Sequence, residues 1–263
     1  MLEKTEKELP NYGNWVPRKF IYYGVILGVL SLIGTILIPL VILKIAIGAF
    51  FVFDVILLTF CIYAYYMFSA RGGNLQEKIH DLLVSVLPWD GNGMCLDIGC
   101  GNAPIAIKVA KRFSNAKIIA SDYWGETVFE YDQKECVRNA KIENVIDRME
   151  FKHANAAKLP FDDESMDAIV SNLTFHEVRD FKRGEKHKSF LEALRVLKKG
   201  GAFAVQDVFT FKAMYGDFEK LKDTLEKYVS ELNWIDTNKQ MKIPRLLQNP
   251  IFLGDIGIFY GIK

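Results

Sequence analysis

The sequence predicts an α/β domain on a mostly parallel, doubly wound sheet, preceded by a hairpin of two apolar helices. Three observations carry that reading. Strand-like apolar runs alternate with helix-like runs from about residue 75 onward, the order of βαβ units whose sheet is covered on both faces. One strand, Met94–Ile98, runs straight into a glycine-rich turn and a proline-led helix. Between Phe20 and Phe68 the only formal charges are Lys44 and Asp54.

The apolar stretch comes first in the chain. One membrane span needs roughly 20 helical residues, so the stretch suffices for two, expected at about 20–38 and 45–68. Pro39 and Lys44 mark the turn between them, because proline opposes helix continuation and lysine seeks headgroups or water. The stretch lacks the short apolar region and small-residue cleavage site of a secretory signal. Hydrophobic residues make up 50% of the 263-residue chain and mean hydropathy is +0.09. The excess lies in this segment, and the remainder reads as an ordinary soluble domain. Arg18 and Lys19 precede the first helix, Arg71 and Lys78 follow the second, and the turn offers only Lys44. The positive-inside rule then places both ends, the tail 1–19 and the domain 69–263, in the cytoplasm. Tyr22, Tyr23, Tyr63, Tyr65 and Tyr66 would form an aromatic belt at that interface. Gly24 and Gly28 make a G-x-x-x-G step, which permits close contact within the hairpin or between chains of a homo-oligomer. Asp54 falls roughly 13 Å into the second span at the helical rise, a costly position that marks either a function or a protonated carboxyl.

Beyond the Gly72-Gly73 connector, Leu75–Val86 reads as an amphipathic helix with Leu75, Ile79, Leu82, Leu83 and Val86 on one face, ended by Pro88. Strands are expected at Met94–Ile98, Lys117–Ser121, Glu150–His153, Asp167–Ser171 and Ala202–Gln206, with a last one at Asp255–Ile262 after Pro250. Helices are expected at Pro104–Arg112, Thr127–Ile142, Lys188–Leu197 and Phe218–Leu232. A formal net charge of +1 gives no reason to expect a nucleic-acid partner. Cys61, Cys95, Cys100 and Cys136 match no zinc spacing, and His80, His153 and His187 form no ligand pair, so no metal is expected and the thiols read as reduced. The charged run Arg179–Lys188 reads as a solvated lead-in to a helix, able to touch anionic headgroups.

Chemistry concentrates in Leu96-Asp97-Ile98-Gly99-Cys100-Gly101-Asn102-Ala103-Pro104. A strand ends in a carboxylate, a glycine turn follows, and proline stands where it suits the first helical turn. Gly99 and Gly101 let the backbone turn tightly and admit a ligand beside it. The next strand ends at Asp122, about twenty residues beyond Gly101, where a carboxylate hydrogen-bonds a ribose diol in dinucleotide folds. A dinucleotide site reads G-x-G-x-x-G, and here Pro104 takes the third place. S-adenosylmethionine has no pyrophosphate to seat on a helix N-terminus. It asks for a carboxylate facing an amino group, a glycine turn beside the amino-acid tail, and a second carboxylate for the ribose. Asp97, Gly99 with Gly101, and Asp122 supply these.

From Leu75 to Lys263 the sequence resembles the class I S-adenosylmethionine-dependent methyltransferases of the small-molecule and lipid branch. LDIGCGNAP (Leu96–Pro104) resembles the family's first motif, with Ala103 where a third glycine is common. IIASDYW (Ile118–Trp124) resembles the second, HANAAKLPF (His153–Phe161) the third, MDAIVSNLTFHEV (Met166–Val178) the fourth strand and its loop, and LRVLKKGGAFAVQD (Leu194–Asp207) the helix, turn and fifth strand. The resemblance implies a Rossmann-like seven-stranded sheet in the order 3-2-1-4-5-7-6 with the last strand antiparallel. It implies cofactor contacts at Asp97, Gly99, Cys100, Gly101, Asp122, Tyr123, Asn155, Ala156 and Asn172, with Tyr123 packing on adenine. Asn155 stands where the family has an aspartate near the adenine amine, and an amide oxygen accepts from that amine equally.

Methyl transfer from a sulfonium is an in-line displacement, so the protein chiefly orients the acceptor and excludes water. The loop Asn172–Glu177 after the fourth strand faces that space. His176 is its candidate base, as its ordinary pKa lies near neutrality, or else a histidine that only ties the loop together; Asp207, after the fifth strand, is the second candidate. The expected function is a membrane-anchored methyltransferase acting on an apolar or membrane-associated small molecule, such as a lipid headgroup, a quinone-like ring or a hydrophobic thiol. A catalytically inactive anchored cofactor-binding or regulatory protein is the alternative, with Ala103 and Asn155 as its features. A nicotinamide-dependent reductase is disfavoured by Pro104.

Overall fold

Two long helices open the chain, α1 at Arg18–Leu37 and α2 at Val41–Phe68, in a computed structural model that describes residues 8–125, 131–249 and 253–263. The helix start expected at Thr127 and the Pro250 expected before the last strand lie outside the described residues. Only Ile38, Pro39 and Leu40 separate α1 from α2. Lys44 was expected in that connection and lies instead in the first turn of α2. Pro39 holds the chain extended, with ψ of 123° at Ile38 and 111° at Leu40, and helix resumes at once. A lysine stem is long enough to reach a polar surface from within a helix.

Both helices are long and apolar enough to cross a membrane, with mean hydropathies of 2.2 and 2.6. Their large side chains point outward: Ile26, Leu30, Ile36, Ile42, Phe53 and Ile56 are all exposed. Small residues mark the faces that meet. Gly24 lies against Leu58, Gly28 against Asp54, Gly34 against Ile47 and Gly48 against Thr35, so the glycine step serves contact within the hairpin. At its open end the Arg18 Nε donates to the Tyr65 hydroxyl at 2.8 Å, and Trp15 meets Phe68 edge-on at 5.3 Å. Residues 14–78 form this unit, and residues 79–263 form a second that also includes residues 8–13. The compact units therefore follow a different division from the expected 1–19, 20–68 and 69–263.

The second unit takes in α3 (Leu75–Ser85) from Ile79 onward, then β1 (Gly93–Ile98), α4 (Pro104–Arg112), β2 (Ala116–Asp122), α5 (Gln133–Ile142), β3 (Met149–His153), β4 (Met166–Asn172), α6 (His187–Val196), β5 (Leu197–Asp207), α7 (Lys212–Tyr215), α8 (Phe218–Leu225), β6 (Glu231–Asp236), α9 (Thr237–Gln240) and β7 (Gly257–Ile262). The sheet order is β3-β2-β1-β4-β5-β7-β6. The first five strands are parallel, and β7 is antiparallel to both β5 and β6, as the resemblance implied. β1, β4 and β5 are buried almost throughout, which explains their continuous apolar runs: parallel strands are covered on both faces.

Two helix ends of this unit differ from the sequence reading by more than one residue. α5 starts at Gln133, because Asp132 caps it by accepting from the Lys134 N–H at 2.9 Å. α8 stops at Leu225, and the chain expected to continue as helix to Leu232 turns into β6. Pairing with β7 and the packing of the half-buried Trp234 against Phe218 and Phe259, at 4.9 and 4.7 Å, override a local pattern that suits a helix. One face of the sheet is packed by Ile105, Val109, Cys136 and Ala140 of α4 and α5. An aromatic cluster around Phe190, Phe209 and Phe259 packs a second layer, in which Phe190 touches Phe175, Phe203, Phe209 and Phe259.

Candidate active site

Four loops meet beyond the carboxyl ends of the parallel strands, where ligands of open α/β sheets bind. The first follows β1. Asp97 is 1% exposed, and its Oδ2 accepts from the Ala106 N–H at 2.9 Å. It thereby caps α4, whose own N-cap, Ala103, offers no side-chain oxygen. The other oxygen, Oδ1, is buried without a hydrogen-bond partner. Burial, reinforced by the Asp122 charge and opposed by the Ala106 N–H, pushes the Asp97 carboxyl up to about 8. An orphaned buried carboxylate oxygen beside a glycine turn is a cradle for a cationic donor.

The turn itself is packed by the protein. Gly99, Gly101 and Ala103 all have positive φ, of 73°, 56° and 64°. A side chain at Gly99 would collide with Thr174, and one at Gly101 would lie 3.4 Å from the Tyr131 ring. The glycines were read as leaving room for a ligand; at these Cβ positions they leave room for Thr174 and Tyr131. Gly101 is gripped from two sides. Its N–H donates to Asp122 Oδ2 at 2.7 Å, and its carbonyl accepts from Trp124 Nε1 at 2.9 Å and from the Cys136 thiol at 3.0 Å. Cys100 is buried beside it.

The second loop follows β2. Asp122 Oδ1 accepts from the Trp124 N–H at 3.1 Å, so each carboxylate oxygen holds one loop N–H and keeps lone-pair capacity for another donor. Burial raises its carboxyl, against the Gly101 and loop N–H groups that lower it. Tyr123 is 43% exposed, its ring 4.7 Å from that of His153. The third loop follows β3. Asn155 closes a turn: its oxygen accepts from the Ala157 N–H at 2.8 Å and its amide donates to Asp180 at 3.1 Å. Ala156 is half-buried in that turn.

The fourth is the loop after β4. Asn172 has a buried Oδ1 without a partner, and Leu173 takes a positive φ of 54°. Thr174 donates toward the Ile98 carbonyl at 3.2 Å, joining this loop to the first. His176 and Asp207, read separately from the sequence, are one unit: Nδ1 lies 2.6 Å from Asp207 Oδ1. Asp207 is fully buried, and its Oδ2 also accepts from the Phe175 and His176 N–H groups at 2.8 and 3.2 Å. Burial favours the neutral imidazole, but the Asp207 charge and hydrogen bond, with Glu177 beside Nε2 at 3.4 Å, push His176 up to about 10. Burial likewise works against the Asp207 carboxylate, and His176 outweighs it, holding Asp207 below its ordinary value. At neutral pH this histidine is an imidazolium, a donor with no lone pair for a proton. The arrangement ties a loop, and the Asp207 and Glu177 carboxylates on either side of the ring neutralise its charge.

Several residues at the site were not legible. Lys186, read as part of a solvated run, is 6% exposed and donates its Nζ to the Val178 carbonyl; the fold turns a charged segment inward to close the loop after β4. Asn102 and Asn139 are buried at the glycine turn. The asparagine within LDIGCGNAP was the one signal of their role.

Residues 96–205 match the methyltransferase domain family. Among curated relatives, the 27-O-demethylrifamycin SV methyltransferase of Amycolatopsis mediterranei (strain S699) is 28% identical over 158 residues, 59% of this chain and 54% of that protein. The demethylmenaquinone methyltransferase of Clavibacter sepedonicus is 32% identical over 115 residues, 44% of this chain and 41% of that protein. The chain thus spans about half the length of the curated relatives it matches. The solved structure of geranyl diphosphate C-methyltransferase from Streptomyces coelicolor A3(2) superposes with a TM-score of 0.53 at 15% identity, over 74% of this chain and 78% of that one. Residues 96–205 are similar to a methyltransferase domain, and the sheet that holds them has the class I methyltransferase fold.

Proposed function

We propose that this chain is a membrane-anchored S-adenosylmethionine-dependent methyltransferase whose acceptor is an apolar or membrane-associated small molecule. The observation that carries the reading is the pair of carboxylates at adjacent strand ends: Asp97, with one buried oxygen unpartnered, and Asp122, which holds the glycine turn. The residues fit the cofactor. Asp97 and Asn172 have acceptor oxygens that would take its amino group, Asp122 has lone pairs that would take the ribose hydroxyls, and Tyr123, Asn155 and Ala156 would border the adenine. When bound, S-adenosylmethionine supplies a methyl group on a sulfonium. The chain's part is to orient and to exclude water, and charge-assisted bonds to the two carboxylates do the orienting. His176, held protonated by Asp207, would order the loop after β4 and not act as a base.

The anchor is read from the outward apolar faces of α1 and α2, with Arg18 and Tyr65 at their shared end and the basic residues Lys19, Arg71 and Lys78 nearby in sequence. Two relatives are named for small-molecule acceptors, a demethylrifamycin and a demethylmenaquinone, and a tethered site meets lipid-soluble acceptors at high effective concentration. The test is incubation of the full chain in lipid nanodiscs with methyl-labelled S-adenosylmethionine and a lipid extract of native membranes. Label in a lipid-soluble product supports the reading. Failure of the full chain to bind the cofactor, or label found only in water-soluble acceptors, overturns it in whole or in its acceptor class.

A further inference from the structure

The glycine turn after β1 is held from one side by Asp122 and Trp124. From another it is held by a segment far away in sequence, the residues just ahead of the apolar helices. Asn139, on α5, is fully buried, and a buried amide is costly unless its hydrogen bonds are made. It makes three. Its oxygen accepts from the Asn11 N–H at 2.8 Å, and its amide donates to the Asn11 carbonyl at 2.9 Å and to the Asn102 carbonyl at 3.1 Å. Asn102, 1% exposed, stands between Gly101 and Ala103. Its amide also donates to the Asn11 carbonyl, at 3.3 Å, while its oxygen accepts from the Asp132 N–H at 3.2 Å.

The rest of the segment is pinned on both sides of this latch. Arg138 donates to Glu8 at 2.7 Å and to the Leu9 carbonyl at 3.3 Å, and the Tyr12 hydroxyl donates to Glu143 at 3.2 Å. Tyr131 lies between the strap and the turn: a side chain at Gly13 would come within 3.3 Å of its ring, and one at Gly101 within 3.4 Å.

We propose that Leu9–Gly13 is a positioning strap for the cofactor site, latched by Asn139 to Asn102, so that the Gly101–Ala103 turn takes its binding geometry only when the strap is docked. This rests on the cofactor reading above. Asn139 and Asn102 act through the turn and are positioning residues. The strap is continuous with the chain that leads into α1, so docking of the segment before the anchor and order at the cofactor turn are one equilibrium.

The test uses the full chain in nanodiscs, with S-adenosylhomocysteine as the calorimetric probe and amide hydrogen exchange at Gly101–Ile105 without ligand. Asn139→Leu keeps the volume and deletes all three hydrogen bonds. Gly13→Val alters only the exposed strap, where φ of 75° and the Tyr131 ring both oppose a branched side chain. Both variants should bind the probe at least tenfold more weakly and exchange faster at the turn, and Gly13→Val should do so with the far-UV circular dichroism of the unaltered chain. Affinity within twofold and unchanged exchange in Gly13→Val would overturn the strap even if Asn139→Leu fails to fold. If the unaltered chain does not bind the probe, the cofactor reading falls, and the exchange measurement still decides whether the strap orders the turn.

Discussion

Asp97 divides its work between two oxygens. One caps α4 through the Ala106 N–H, and the other is left for a ligand. Burial holds the carboxyl at about 8, about four units above its ordinary value, so at neutral pH it is mostly protonated and a cationic amino group must bind to the ionised form. Affinity for S-adenosylhomocysteine should therefore fall by about tenfold per pH unit below pH 8, and Asp97→Asn should flatten that dependence. A pH-independent affinity between pH 6 and 8 in the unaltered chain would remove Asp97 from the amino-group contact. The His176–Asp207 pair has the opposite sense. Because folding raises His176 from about 6.5 to about 10, its pairing stabilises the fold fully below about pH 6.5, and the contribution fades as pH rises through 10. Asp207→Asn leaves a half-buried imidazolium without its buried counter-charge and should cost about 3 kcal/mol in chemical unfolding at pH 6, with a smaller loss at pH 10. An equal loss at both would show that the backbone N–H bonds to Asp207, and not the ion pair, carry its role.

At the scale of elements, the loop after β4 is held from behind as well as from within. Phe175 is fully buried against Phe190 of α6 at 5.8 Å, next to the histidine it positions. Phe190→Ala should cost about 3–5 kcal/mol and, unlike Phe218→Ala at the far side of the cluster, should broaden the His176 ring resonances; a broadening equal in both would place the effect in the core at large. The strands that hold the cofactor loops were legible because β1, β2 and β4 have apolar centres and carry Asp97, Asp122 and Asn172 at or next to their carboxyl ends. β6 was not. Its Glu231–Asp236 alternates weakly, follows a good helix, and exists because β7 offers an edge to pair with. The asparagine latch was hidden for a different reason. Its hydrogen bonds join residues 128 and 91 positions apart, and no local pattern encodes them. Likewise His176 and Asp207 were both named from strand ends, yet their contact, and hence the imidazolium, depended on how the two loops fold together.

At the scale of the whole molecule, the strap constrains topology. Residues 8–13 hydrogen-bond within the sheet domain, so the chain leaves that domain at Asn14 and rejoins it at Ile79. If α1 and α2 both span a bilayer, the two crossings return the chain to the side it left, which agrees with basic residues outside both ends and none but Lys44 near the turn. Single cysteines at Leu9, Leu40 and Asn92 test this, since all three positions are exposed. Cys95, Cys100 and Cys136 are buried and can remain in place, while the half-buried Cys61 is replaced by Ser and that variant sets the background. With an impermeant thiol reagent on intact cells, Leu40→Cys should react, while Leu9→Cys and Asn92→Cys should react only after the membrane is opened. Labelling of Leu9→Cys and Asn92→Cys but not Leu40→Cys would invert the hairpin and place the carboxylate pair away from the cytosolic supply of cofactor. Labelling of Leu9→Cys without Asn92→Cys, or the reverse, would mean a single crossing. Asn11 could not then reach Asn102 and Asn139, and the topology and the strap would fail together.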